Sequence, residues 1–261
     1  MIFTYLLILL TGVLVGLLST VFGIGGGIIM VPILSLILPY SHLEAVATSL
    51  ATIFFVASLN TYNFNKRGVI VWKIVPWIVL TSSIFSFLAA RLAVLLPERI
   101  LVTIFIFILL WVAIQTFMIN AAKIEKKTKK PVKAIPLAIG AFIGTISGMT
   151  GVGGGAITTP VMLISGLVNN IQATPTSNAI MIFTTFFGSI SFALNNPVNT
   201  QSMTFGWIHL DTAVLLFAGS ALFSGIGVRV NQKFPLFWRK TILGLLLLFI
   251  CVRLIFMLLN R

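Results

Sequence analysis

The sequence predicts an all-α polytopic membrane protein built from two homologous halves. Eight long spans and two glycine-broken or re-entrant half-helices give eight to ten membrane segments. Three observations carry this reading. Of 261 residues, 59% are hydrophobic and only 8% are charged, against about 25% charged in an average soluble protein. Apolar runs long enough to cross roughly 30 Å of hydrocarbon recur along the whole chain. The glycine and proline pattern of the first half returns in the second. With a mean hydropathy of +1.14, the chain cannot cover a water-facing surface, which excludes a soluble enzyme. The net charge of +13 does not indicate nucleic acid, because the basic residues lie between apolar runs, as the positive-inside rule describes.

The apolar runs fall at 2–38, 45–62, 74–90, 100–119, 134–168, 171–194, 207–228 and 241–259. The first reads as part of the folded chain and not as a signal peptide, since Met1 to Thr4 has no basic side chain. Two runs are too long for one crossing. A continuous helix over 2–38 would be about 55 Å long. Each of these runs contains a helix breaker, Gly23-Ile-Gly-Gly-Gly27 in one and Gly151-Val-Gly-Gly-Gly155 in the other, followed by Pro32 and Pro160. Glycine and proline are the poorest helix formers.

The charge-rich stretch 123–133 holds six lysines and Glu125. It predicts a basic cytoplasmic linker, 121–133, between a first transmembrane repeat (1–120) and a second (134–261). Contact with anionic lipid headgroups is a secondary use of such a stretch. A constant offset of 128 positions carries Gly12, Gly16, Ser19, Gly23, Gly25, Gly26, Gly27, Ile29 and Pro32 onto Gly140, Gly144, Ser147, Gly151, Gly153, Gly154, Gly155, Ile157 and Pro160. It also carries Thr48, Ser49, Ala51 and Phe55 onto Thr176, Ser177, Ala179 and Phe183. The register then needs an insertion around Asn195–Thr204. If each glycine break turns the chain around, each half has five segments and the halves are inverted. Thirteen basic residues then share one side and four the other, the count that the positive-inside rule prefers.

Broken backbone at membrane depth is tolerated only inside protein or beside a water-filled cavity. Adjacent glycines ahead of a helix present N–H groups at its positive end, which attracts anions. The backbone amides of Gly25, Gly26, Gly27, Gly153, Gly154 and Gly155 are therefore candidate anion donors. Gly12, Gly16, Gly140 and Gly144 instead fit close helix packing. Thr48, Ser49, Thr176, Ser177 and Asn178 are candidate side-chain ligands, with helix capping as the alternative for the hydroxyls. Glu44 and Asp211 are candidate coupling carboxylates, and His209 lies near Asp211 in sequence. Arg91, Arg229 and Arg253 read as snorkelling side chains near helix ends. Two histidines and one cysteine offer no metal cluster. No phosphate-binding loop is present, and no cofactor is expected.

The paired motif, Gly23-Ile-Gly-Gly-Gly27 with Pro32 and Ala47-Thr-Ser-Leu-Ala51, then Gly151-Val-Gly-Gly-Gly155 with Pro160 and Pro175-Thr-Ser-Asn-Ala179, resembles the sulfite exporter TauE/SafE family of permeases. The resemblance covers both halves. It implies a multi-pass carrier in a prokaryotic plasma membrane, not an enzyme, that moves sulfite, sulfoacetate or related organosulfonates. The expected function is export of a small sulfur-containing oxyanion by alternating access. An anion channel and an uptake permease for a related organic anion are the alternatives. The expected partners are the small anion and membrane lipid.

Overall fold

The computed structural model describes residues 2–118, 134–195, 203–233 and 236–259. The first half forms helices α1 (Ile2–Phe22), α2 (Gly27–Leu36), α3 (His42–Asn65), α4 (Val75–Leu95) and α5 (Glu98–Met118). The second forms α6 (Ala134–Thr150), α7 (Gly155–Ile164), α8 (Asn170–Ala193), strands β1 (Thr204–Phe205) and β2 (Ile208–His209), α9 (Leu210–Lys233) and α10 (Leu236–Leu259). The linker 121–133, with its lysines, lies outside the described residues.

Among the described residues, seven helices are long and apolar enough to cross a membrane. An eighth, α6, has 17 residues. Both over-long runs break at their glycines: α1 ends at Phe22 and α2 starts at Gly27, while α6 ends at Thr150 and α7 starts at Gly155. Pro32 and Pro160 sit inside the short helices that follow. The run at 207–228 departs from the expected helix at its start, where β1 and β2 pair antiparallel, Thr204 with His209. Gly206, at φ 60°, turns this hairpin over the end of α8, and the Trp207 amide donates to the Phe192 carbonyl at 3.4 Å. Most of the insertion that the second half needs, 196–202, lies outside the described residues, and the hairpin follows it.

Packing follows the repeat. Gly12 and Gly16 of α1 lie on the backbone of Leu216 and Ser220 of α9, so these two helices run parallel. Gly140 and Gly144 of α6 lie in the same way on Ile78 and Ser82 of α4. In each case a Cβ would overlap the neighbouring carbonyl, so only glycine permits the approach. The first helix of each half thus packs on the other half. Helix α3 runs alongside α9, with Thr48 at His209 and Asn60 at Ser224. Helices α3 and α8, which are repeat counterparts, run antiparallel: Asn60 meets Asn178 while Leu50 meets Gly188. Counterparts α5 and α10 do the same, with Ile106 at Cys251 and Phe117 at Gly244. Because α1 and α3 run in one direction, the glycine break and α2 carry the chain back between them.

Two glycines of α9 give a direct check of this packing. A Cβ at Gly219 would overlap the Leu9 carbonyl, whereas one at Gly225 would meet nothing within 4 Å. Gly219→Ala is expected to lower the melting temperature in detergent. Gly225→Ala is expected to keep or raise it, since alanine favours a helix by up to about 1 kcal/mol over glycine.

Candidate functional site

The site is built from two loops of the same design. Gly23, Gly25 and Gly26 take φ values of 72°, 76° and 88°, and Gly151, Gly153 and Gly154 take 70°, 76° and 80°. Side chains other than glycine are disfavoured in this left-handed region. The repeated glycines therefore first serve to turn the chain three times within a few residues. Gly26 and Gly154 are the N-caps of α2 and α7, and neither helix start receives a side-chain cap. The Gly26 carbonyl accepts from Ile29 and Met30, and the Gly154 carbonyl from Ile157 and Thr158. This leaves the opening amides, of Gly27 and Ile28 and of Gly155 and Ala156, as the uncapped positive ends. Helices α3 and α8 differ in that both begin in full capping boxes, Ser41 with Glu44 and Asn169 with Gln172.

The two loops clasp each other. A Cβ on Gly27 would overlap the Gly151 carbonyl, and one on Gly155 would lie 2.6 Å from the Gly23 carbonyl oxygen. Met181 of α8 and Ile53 of α3 close the sides: a Cβ on Gly25 would lie 2.7 Å from the Met181 sulfur, and one on Gly153 2.9 Å from Ile53. Ser49 donates to the Gly151 carbonyl, Thr159 to the Gly23 carbonyl at 3.4 Å, and Ser177 to the Gly155 carbonyl at 3.4 Å. All eight glycines of the two loops are buried. The clasp is therefore shut, without room for a methyl group at its contact points.

The other sequence candidates divide. Ser49 and Ser177 touch the clasp directly. Thr48 and Thr176 lie well inside their helices and do not cap them, because the caps are Ser41 and Asn169. Each instead holds the loop before a helix of the other half: Thr48 Oγ1 accepts from the His209 amide and Thr176 Oγ1 from the Val71 amide, both at 3.1 Å. Asn178 belongs to a fully buried network. Its Oδ1 accepts from Asn60 Nδ2 at 3.1 Å and its Nδ2 donates to the Thr174 carbonyl at 2.9 Å. Asn60 Oδ1 accepts in turn from Thr20 at 3.1 Å and Ser224 at 2.6 Å.

Glu44 serves its capping box and also meets His209, with Oε1 to Nε2 at 3.2 Å. The His209 ring lies 4.4 Å from the Tyr40 ring, and the Tyr40 hydroxyl reaches Thr212 at 2.6 Å. Asp211 sits apart from the glycines, in the first turn of α9, where it lines a shallow mouth with Tyr5, Met203 and Leu210. Tyr40 and Asn60 escaped the sequence reading. Asn60 had a usable signal, an amide in the middle of an apolar span. Among the described residues no group of three or more His, Cys, Asp or Glu is gathered as a metal site.

Comparison with known proteins agrees with this architecture. A family profile described as "Sulfite exporter TauE/SafE" matches residues 8–254. A protein of Haemophilus influenzae named "Probable membrane transporter protein" is 30% identical over 266 residues, covering 96% of this chain and 98% of the relative. One of Methanocaldococcus jannaschii with the same description is 29% identical over 236 residues, covering 87% and 86%. The "Probable membrane transporter protein YunE" of Bacillus subtilis is 22% identical over 254 residues, covering 88% and 89%. No solved structure is a significant match.

Proposed function

The chain belongs to the sulfite exporter TauE/SafE family of membrane transporters, and from that premise we propose that it exports a small sulfur-containing oxyanion, such as sulfite or an organosulfonate, across the plasma membrane. One observation carries the reading: two uncapped helix starts, one from each half, meet inside the protein at the clasp. Such ends favour an anion through their N–H groups and dipoles.

The halves act as an inverted repeat of five segments each, giving ten crossings with α2 and α7 as the short ones. The antiparallel courses of α3 with α8 and α5 with α10 support this. The charge count of thirteen against four supports a cytoplasmic side that holds the Asn60 end of α3 and the lysine linker. Rocking one half against the other opens the clasp to one side at a time. The shut clasp favours a carrier over an open channel. Backbone amides at Gly25–Gly27 and Gly153–Gly155 hold the anion, with Ser49 and Ser177 nearest and Thr48, Thr176 and Asn178 keeping the walls in register. The test is a thermal-shift series with sulfite, sulfate, thiosulfate and organosulfonates, followed by flux in proteoliposomes. A rise in melting temperature with saturable sulfite counterflow is expected. Conductance without saturation would point to a channel.

Coupling to protons falls on Glu44 and His209. The two side chains are in contact, and the His209 amide is tied to Thr48, next to the Ser49 that holds the Gly151 carbonyl. Glu44→Gln is expected to flatten the pH dependence of sulfite flux. A larger change in Asp211→Asn would move the coupling role to Asp211.

A further inference from the structure

Two serines outside the set above stand one turn ahead of the glycine breaks. Ser19 of α1 and Ser147 of α6 are repeat counterparts, both fully buried, and neither hydroxyl has a hydrogen-bond partner. A buried, unpaired hydroxyl costs roughly 1–3 kcal/mol, so a pair at equivalent places calls for a reason. Many buried hydroxyls among the described residues avoid the cost by donating to the carbonyl one turn back, as Thr20, Thr52 and Thr158 do; those of Thr61, Ser83, Ser189 and Ser191 also lack a partner, but they lie away from the glycine breaks in sequence. Ser19 and Ser147 do not.

Their position supplies the reason. Ser147 Cβ lies 3.6 Å from where a Cβ on Gly154 would stand, the place from which a capping side chain would reach the start of α7. Its carbonyl also accepts from the Gly151 amide at 3.0 Å, so Ser147 is fixed one turn ahead of the break. Ser19 holds the Gly23 amide in the same way at 2.8 Å. The start of α7 therefore has an idle O–H donor beside it, and Ser19, its repeat counterpart, stands one turn ahead of the other break.

Resting on the anion-transport reading, we infer that Ser147 and Ser19 are oxyanion ligands, one at each broken helix. Each adds a hydroxyl donor to the opening amides of α7 or α2. The ligand class is an acceptor-only anion with several oxygens, since amides and hydroxyls then all donate to it. The two sites do not look the same way. Helix α2 leads to Tyr40 and the His209 end of α3, whereas α7 leads to Asn169 and the start of α8, beside Gly23. The helix starts therefore face opposite ends of the bundle, and the two serines serve the anion at opposite stages of passage.

The experiment uses the full chain, sulfite as probe, and Ser147→Ala, Ser19→Ala and the double variant. Wild type is measured first. If wild type neither binds nor moves any oxyanion, the transport reading itself fails. With wild type active, each alanine variant is expected to melt, without sulfite, at or above the wild-type temperature, because an unpaired hydroxyl is removed. Each is also expected to weaken sulfite, as read from the ligand-induced shift and the KM, by roughly ten-fold or more, the effect of a hydrogen bond to a charged group. A variant that melts lower without sulfite, whatever its affinity, overturns the inference by assigning the serine a structural bond. So does an unchanged affinity.

Discussion

Gly155→Ala is expected to abolish sulfite flux and to lower the melting temperature by several degrees. The added Cβ would stand 2.6 Å from the Gly23 carbonyl oxygen and would also press on the Met181 sulfur. Methionine can turn aside, but a carbonyl fixed in the opposite loop cannot. The two loops must separate, which costs about 1–3 kcal/mol as overpacking does elsewhere. Gly155 has ordinary helical backbone, since it is absent from the left-handed glycines. The substitution therefore probes the clasp and not backbone strain. Gly27→Ala, against the Gly151 carbonyl, is expected to behave alike. Flux at wild-type rates in either variant would mean that the loops do not meet during transport.

Asn60→Leu is expected to be the most destabilising change on α3. The side chain is fully buried and satisfies hydroxyls from α1 and α9 and the Asn178 amide of α8. Leucine has a similar size but leaves Asn178 Oδ1 and the Ser224 hydroxyl without this partner. Thr20 keeps its bond to the Gly16 carbonyl. Two buried groups lose a partner, which predicts a loss of about 2–4 kcal/mol, at the lower end if helix–helix hydrogen bonds in membranes are as modest as measured. The Asn60→Leu/Asn178→Leu double variant is expected to cost less than the two single changes added together, because the second change removes the stranded amide. Strict additivity would show that the pair does not interact.

The frame of this fold was legible from composition and repetition. The long apolar runs announced the spans, and the offset of Gly23–Gly27 onto Gly151–Gly155 announced both breaks. The small-residue pairs at Gly12/Gly16 and Gly140/Gly144 announced close helix contacts, although not that each would face a helix of the other half. That depends on how the halves dock, which no local pattern encodes. The site was legible in part. The spacing of Thr48 and Ser49 gives two adjacent hydroxyls, but only the packed structure separates them, Ser49 onto the clasp and Thr48 onto the His209 amide. The Glu44–His209 pair joins residues far apart in the chain. The serines at 19 and 147 were visible as equivalents, yet their lack of partners appears only once every neighbouring carbonyl is in place.

Selenite, the heavier analogue of sulfite, offers the most direct measurement: a structure of the protein with selenite bound, in which selenium is located by its own scattering. The account predicts selenium within hydrogen-bonding reach of the opening amides of α2 or α7, beside Ser19 or Ser147. Selenium held elsewhere, with both helix starts still clasped and bare, would contradict it.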